Sequence, residues 1–141
     1  MAVTANSIIT AQAANRGHVQ IANADAQAQK TVYTAGANGS LLRGLLLQST
    51  DTSGRDVQIS ITNSGTSYPL GTVTVPAGAG NSGSVPSVNA LNSAQLPGLP
   101  LDTNGNPTLF LVSGDTLTVS ALSTVTAAKL ITASAIEAGD L

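Results

Sequence analysis

The chain is 141 residues long, the length of a single domain, and only 9% of it is charged, against about 25% in an average soluble domain. Its net charge is −2 and its five basic residues are scattered, which argues against nucleic acid or an acidic membrane surface as a partner. It has no cysteine and one histidine, which excludes disulfides, thiolate metal sites and thiol nucleophiles and leaves His18 as the one imidazole available for acid–base work.

Leu, Ile, Val and Phe number 35, enough to exceed the roughly 20% below which a chain defaults to disorder. A core is therefore expected, built from small and branched aliphatic side chains. Thr, Ser, Asn, Gln and Gly take the place of the missing charges, so the surface is neutral and rich in hydroxyls. The N-terminus has no basic stretch followed by an apolar one and does not read as a signal peptide. The most apolar run, Leu41–Leu47, is broken by Arg43 and Gly44 and is far too short to span a bilayer.

Residues 2–17 show no periodicity and read as an extended arm or, equally, as a frayed terminus. Val19–Asn23 reads as a short strand and Ala24–Gln29 as a turn. Lys30–Tyr33 is β-branched and aromatic, and Asn38-Gly39 behind it is a strong turn signal. Leu41–Gln48 places leucines on both faces of a strand, which requires cover on both faces. Asp56–Thr62 alternates Val57, Ile59 and Ile61 with Gln58, Ser60 and Thr62, the half-buried strand pattern. Asn63-Ser64-Gly65 reads as a hairpin turn leading to Ser67–Val75. Pro69 near the start of that strand predicts an edge or a bulge.

Pro76–Val85 reads as a glycine-rich loop. Pro86–Ser93 reads as one or two helical turns, and the proline-broken Leu96–Leu101 as irregular chain lying on the core. Thr108–Val112 and Thr116–Ala121 read as a hairpin closed by Ser113-Gly114-Asp115, and Val125–Ile136 as a long final strand. The expectation is an all-β, jelly-roll-like sandwich of seven or eight strands with at most one short helix. Residues 1–17 form the arm and 18–141 the single sandwich domain.

No constellation for chemistry emerges, so no enzymatic activity, cofactor or metal is expected. Asp102-Thr103-Asn104-Gly105-Asn106 has oxygen groups at alternate positions, as calcium loops do. It lacks the glycine at the sixth place and the glutamate at the twelfth, where Pro107 and Ser113 stand, so a plain turn is favoured. Ser113 has only His18 as a base, on the arm boundary. The glycine-rich stretches lead into no helix with a lysine, as a phosphate loop would. Asp51, Arg55 and Asp56 read as a surface charge group beside a turn. The partner-contact candidates are Val3, Ile8, Ile9, Thr10 and Arg16 on the arm. Leu41, Leu45 and Leu47 are candidates for core or oligomer interface.

Several segments stand in an order with a precedent. They are Asn6–Thr10, Thr34–Ser40, Thr50-Asp51, Arg55–Gln58, Leu70–Gly80, Leu96–Pro100, Asp102 with Gly105-Asn106, and Ser113–Leu117. Together they resemble a family of small head decoration, or cement, proteins of tailed bacteriophages. The resemblance runs through residues 31–119, with the arm motif added. It implies a jelly-roll-like sandwich that assembles as a dimer or trimer on the outer surface of the capsid, touching the major capsid protein through an arm or loop. Localisation would then be the virion, after synthesis in the host cytoplasm. The alternatives are another virion part, such as a head-fibre base or tail protein, and a secreted carbohydrate-binding sandwich. Three aromatic residues and no Trp weigh against the last.

Overall fold

A computed structural model describes residues 13–141. In chain order the strands are β1 (Ala13–Ala22), β2 (Lys30–Thr34), β3 (Ser40–Ser49), β4 (Arg55–Asn63), β5 (Thr66–Val75), β6 (Val88–Asn89), β7 (Leu109–Leu111), β8 (Thr116–Ala121) and β9 (Leu130–Asp140). The helical content among these residues is one 3-10 turn, Asn23–Asp25. One antiparallel sheet runs β1-β9-β3, with β6 and β7 both pairing the far side of β3. The other runs β2-β8-β4-β5. These two four-position orders, filled by a chain that keeps crossing between sheets, are the topology of a jelly roll.

The two sheets enclose one core of aliphatic side chains. Ile21, Leu42, Leu45, Leu47, Val57, Ile59, Val73, Leu117, Val119 and Ile131 face one another between the layers. Gly17 brings the β1 and β2 edges together, because a Cβ there would overlap the Val32 carbonyl. The opposite side is closed by the excursion from Pro76 to Thr108, which drops Ala79, Ala90, Leu91 and Leu96 into the core.

The clearest strand patterns of the sequence recur. In β4, Val57 and Ile59 are fully buried and Ile61 packs against the core. The β4–β5 hairpin turns on Ser64 (φ 50°) and Gly65 (φ 79°), the two left-handed residues of a type I′ turn. β5 is an edge strand, and the register with β4 shifts between Pro69 and Gly71, so both expectations raised by Pro69 hold.

Four segments differ. Ala13–Gly17 belong to β1, paired with β9, and not to an arm. Pro86–Ser93 forms no helix. The Asn89 Oδ1 accepts the Leu45 and Leu91 backbone N–H groups, which holds the chain extended as β6; Asn side chains compete with helix in this way. Thr108–Val112 and Thr116–Ala121 are not a hairpin, since β7 pairs β3 and β8 pairs β2 and β4 across the core. The last strand starts at Leu130, because Thr126–Lys129 is a turn closed by the Lys129 N–H on the Thr126 carbonyl, with Ala128 at φ 64°.

The leucines of β3 divide unevenly. Leu42, Leu45 and Leu47 are 0% exposed in the core, and Leu41 is 5% exposed but lies outside that cluster, opposite Phe110 of β7. Leu45 and Leu47 are thus interior and unavailable as an oligomer interface. Leu46 points the other way and is half-buried. Leu45→Ala is expected to cost about 3 kcal/mol in urea unfolding, from lost transfer energy plus a cavity. Leu46→Ser is expected to cost under about 1 kcal/mol. Equal losses at the two positions would contradict this inside-outside assignment.

Candidate functional site

Six connections cross between the sheets, and their backbones must find partners at the two ends of the sandwich. Carboxylates supply many of them. At one end Asp51, which is 1% exposed, accepts from the Thr126 amide (3.0 Å), the Thr126 hydroxyl (2.7 Å), the Ser53 amide (3.0 Å) and Arg55 Nε (2.8 Å). This ties the β3–β4 crossing to the β8–β9 crossing. Arg55 also donates to Ser123 and Thr126. Asp51 is therefore buried and paired with a partly buried Arg55, and is not the surface charge that the sequence suggests; Asp56 accepts from Thr74 on the neighbouring strand. Burial alone would raise the Asp51 pKa. The Thr126, Arg55 and Ser53 donors outweigh it and hold the carboxyl well below the usual carboxylate range.

At the other end Asp140 Oδ1 accepts from the Ser40 (2.7 Å) and Tyr33 (2.8 Å) hydroxyls, and Oδ2 from the Asn15 amide (3.1 Å). Ser40 and Tyr33 hold its carboxyl below the ordinary value against the effect of burial. Burial and the neighbouring Asp140 push the Tyr33 phenol up. Asp115 accepts from the Val112 amide and from Asn63, pinning the β7–β8 crossing to the β4–β5 hairpin. These are fastenings of the fold.

The remaining chemical candidates stay apart. His18 Nδ1 lies 3.0 Å from Ser134 Oγ on the outer face of the β1 sheet, whereas Ser113 sits in the β7–β8 crossing beside Asp115. Among the described residues no three His, Cys, Asp or Glu side chains gather as a metal-binding group. Asp102 behaves as a turn former: its Oδ1 accepts the Asn104 and Asn106 backbone N–H groups at 2.8 and 2.9 Å. No described helix is long and apolar enough to cross a membrane.

Of the arm candidates, Val3, Ile8, Ile9 and Thr10 lie outside the described residues. Arg16 is exposed on β1 where its register with β9 shifts, beside a shallow hollow lined by Ala14 and Asn15. Two further surface features are not legible in the sequence. One is the rim where Phe110 (43% exposed) and Val112 (64% exposed) project outward from β7 and the residue after it. There Leu111, Ser40, Asp140 and Ala13 stand in one registered row across β7, β3, β9 and β1. The other is a cleft of about 310 Å³ lined by Arg43, Asn89, Leu91, Asp102, Asn104, Asn106 and Pro107. Neither is a local pattern, because each joins strands and loops distant in sequence.

The carboxylates give the fold an acid limit. Asp51 and Asp140 are lowered below their unfolded value of about 3.9, so their stabilisation is complete above about pH 5 and is lost as pH falls through and below about 4. Calorimetry is expected to show a flat melting temperature from neutrality to about pH 5 and a steady fall below it. Asp51→Ala should lose about 2 kcal/mol at pH 7 by leaving the Thr126 and Ser53 amides without an acceptor, and should then fall less steeply on acidification. An acid slope unchanged in that variant would remove Asp51 from this role.

Comparison with known proteins adds no relative: no family model, curated protein or solved structure matches the chain.

Proposed function

We propose that this chain is a structural virion protein that decorates a tailed-phage capsid and stabilises it by binding, as a homo-oligomer, to the outer surface of the major capsid protein shell. The reading rests on the ordered motif resemblance through residues 31–119. The geometric observation that best supports it is the rim at one end of the β1 sheet. Ala13, the first described residue, is three strand spacings from Leu111, about 14 Å. The outward Phe110 and Val112 flank that row. The first described residue and an exposed apolar pair thus stand at one end of the sandwich, where a contact with a neighbouring protein could form.

The physical logic is that of repeated weak contacts. A packed shell carries internal pressure, and a protein bridging its seams adds contact area at every symmetry-related site. Linking several copies raises the combined affinity well above that of one contact. A surface poor in charge suits such packing, because few ionic groups must be desolvated without a partner.

The test is co-sedimentation of the purified protein with undecorated, expanded phage heads, with the pellet imaged by electron cryo-microscopy. Regular density on the shell is the expected result. Deletion of residues 2–12, and separately the double substitution Phe110→Ser with Val112→Ser, should leave the circular dichroism spectrum intact and weaken attachment roughly tenfold or more, since each contact is multiplied by avidity. Full decoration by both variants would overturn the assigned contact surface. Recovery of the protein on tails and not on heads would move the function to the tail.

A further inference from the structure

We propose that the cleft between β3 and the 102–107 turn is a binding site for a neutral saccharide. This goes beyond capsid attachment and does not depend on it, since the cleft lies within one folded chain.

The loop that carries Asp102 is held from several directions. The Asp102 amide donates to the Asn106 carbonyl (2.9 Å), Gly105 N–H to the Asp102 carbonyl (3.0 Å), and Thr108 N–H and hydroxyl both to the Pro100 carbonyl (2.8 and 3.0 Å). Leu101 and Pro107 form an isolated bridge across its neck. Pro97, Pro100 and Pro107 remove further backbone freedom. A loop fixed beforehand loses little entropy when a ligand settles on it.

The polar groups of the cleft are then constrained in kind. Asn89 Oδ1 is committed to the Leu45 and Leu91 amides, so what Asn89 can offer a ligand is its NH₂ group. Asp102 commits Oδ1 to two backbone N–H groups of its own turn, and the Asn106 side-chain amide also lies against the carboxylate, so the acceptor is held in place within the turn. Arg43 is exposed on β3 and lies close enough to contribute, after the Asn106 and Asn104 amides, to lowering the Asp102 pKa. Asn104 and Asn106 add two more side-chain amides, and Leu91 and Pro107 give apolar wall. The set holds a guanidinium fork, amide donors and acceptors, and a carboxylate within about 310 Å³, the lower end of the size range of ligand sites.

This mixture selects a ligand class. Arg43 alone would attract an anion, but Asp102 beside it opposes a phosphate or sulfate. A cation meets the converse conflict. Adjacent hydroxyls on a sugar ring both donate and accept, and so satisfy a planar donor fork and a planar acceptor together. No aromatic ring lines the cleft, so stacking adds nothing and the expected dissociation constant is weak, about 1 mM.

The experiment titrates the ¹⁵N-labelled full chain with the methyl glycosides of glucose, galactose, mannose and N-acetylglucosamine, and separately with inorganic phosphate, following amide shifts by NMR. At least one glycoside should give saturable shifts confined to residues 43, 89–91 and 102–108. Arg43→Ala and Asp102→Asn should each weaken that binding about tenfold or more with the melting temperature held; the Asn variant keeps an acceptor for the turn. Asn104→Ser serves as a third variant if either of these is destabilised. The proposal is overturned if no glycoside saturates by about 50 mM, if the shifts map elsewhere, or if phosphate binds the cleft as well as the best sugar does.

Discussion

The fold depends on satisfying the backbone where it crosses between two sheets. Each crossing carries polar groups over the end of an apolar core, and a buried group left unpaired there would cost as much as a lost hydrogen bond. This chain meets the demand with aspartates. Asp51 and Asp25 act at one end, Asp115 and Asp140 at the other, and Asp102 in the side excursion. The six aspartates and single glutamate are the chain's whole acidic complement, so most of its negative charge is spent inside turns and crossings. The low charge of the surface and the order of the ends therefore have a common origin.

This explains which parts of the molecule can be read from the sequence. β4 is legible because Val57, Ile59 and Ile61 alternate with polar residues, and alternation is a local property that survives folding. The Ser64-Gly65 turn is legible for the same reason. The partnership of β7 and β8 is not, because Ser113-Gly114-Asp115 is equally suited to a hairpin and to a crossing. What decides is that Leu109 and Leu111 pair with β3 while Leu117 and Val119 pair with β4. Asp51 looks like a surface charge for a related reason. Its acceptors are filled by Thr126, which lies 75 residues along the chain, and no nearby residue signals that contact. The cleft is hidden in the same way: Asp102 reads correctly as a turn former, but Arg43 and Asn89 reach it only through the sheet.

A jelly roll serves capsid and binding proteins alike, so the topology does not choose among functions. The choice rests on surfaces. The outer face of the β1 sheet carries His18, Gln48, Thr132 and Ser134 around Leu46 and Ile136, a mixture that neither repels a neighbour by charge nor buries much apolar area against it. Strong binding through one such face is not expected from this composition. Many copies acting together can reach it, which is the condition that the proposed oligomer on a symmetric shell would supply.

The edges of the sandwich point the same way. An open β edge is a template for another strand, and each edge here is blunted. β5 carries Pro69 and an irregular register, β1 is bent between Asn15 and Gly17, and β2 is five residues long with an irregularity between Thr31 and Tyr33. The far side of β3 is occupied by β6 and β7, which are only two and three residues long. Pairing between two different edges would build open filaments without fixed copy number. With those edges blunted, the proposed association would fall to side chains on the faces and the rim, where the geometry of the partner would set how many copies bind and where they stop.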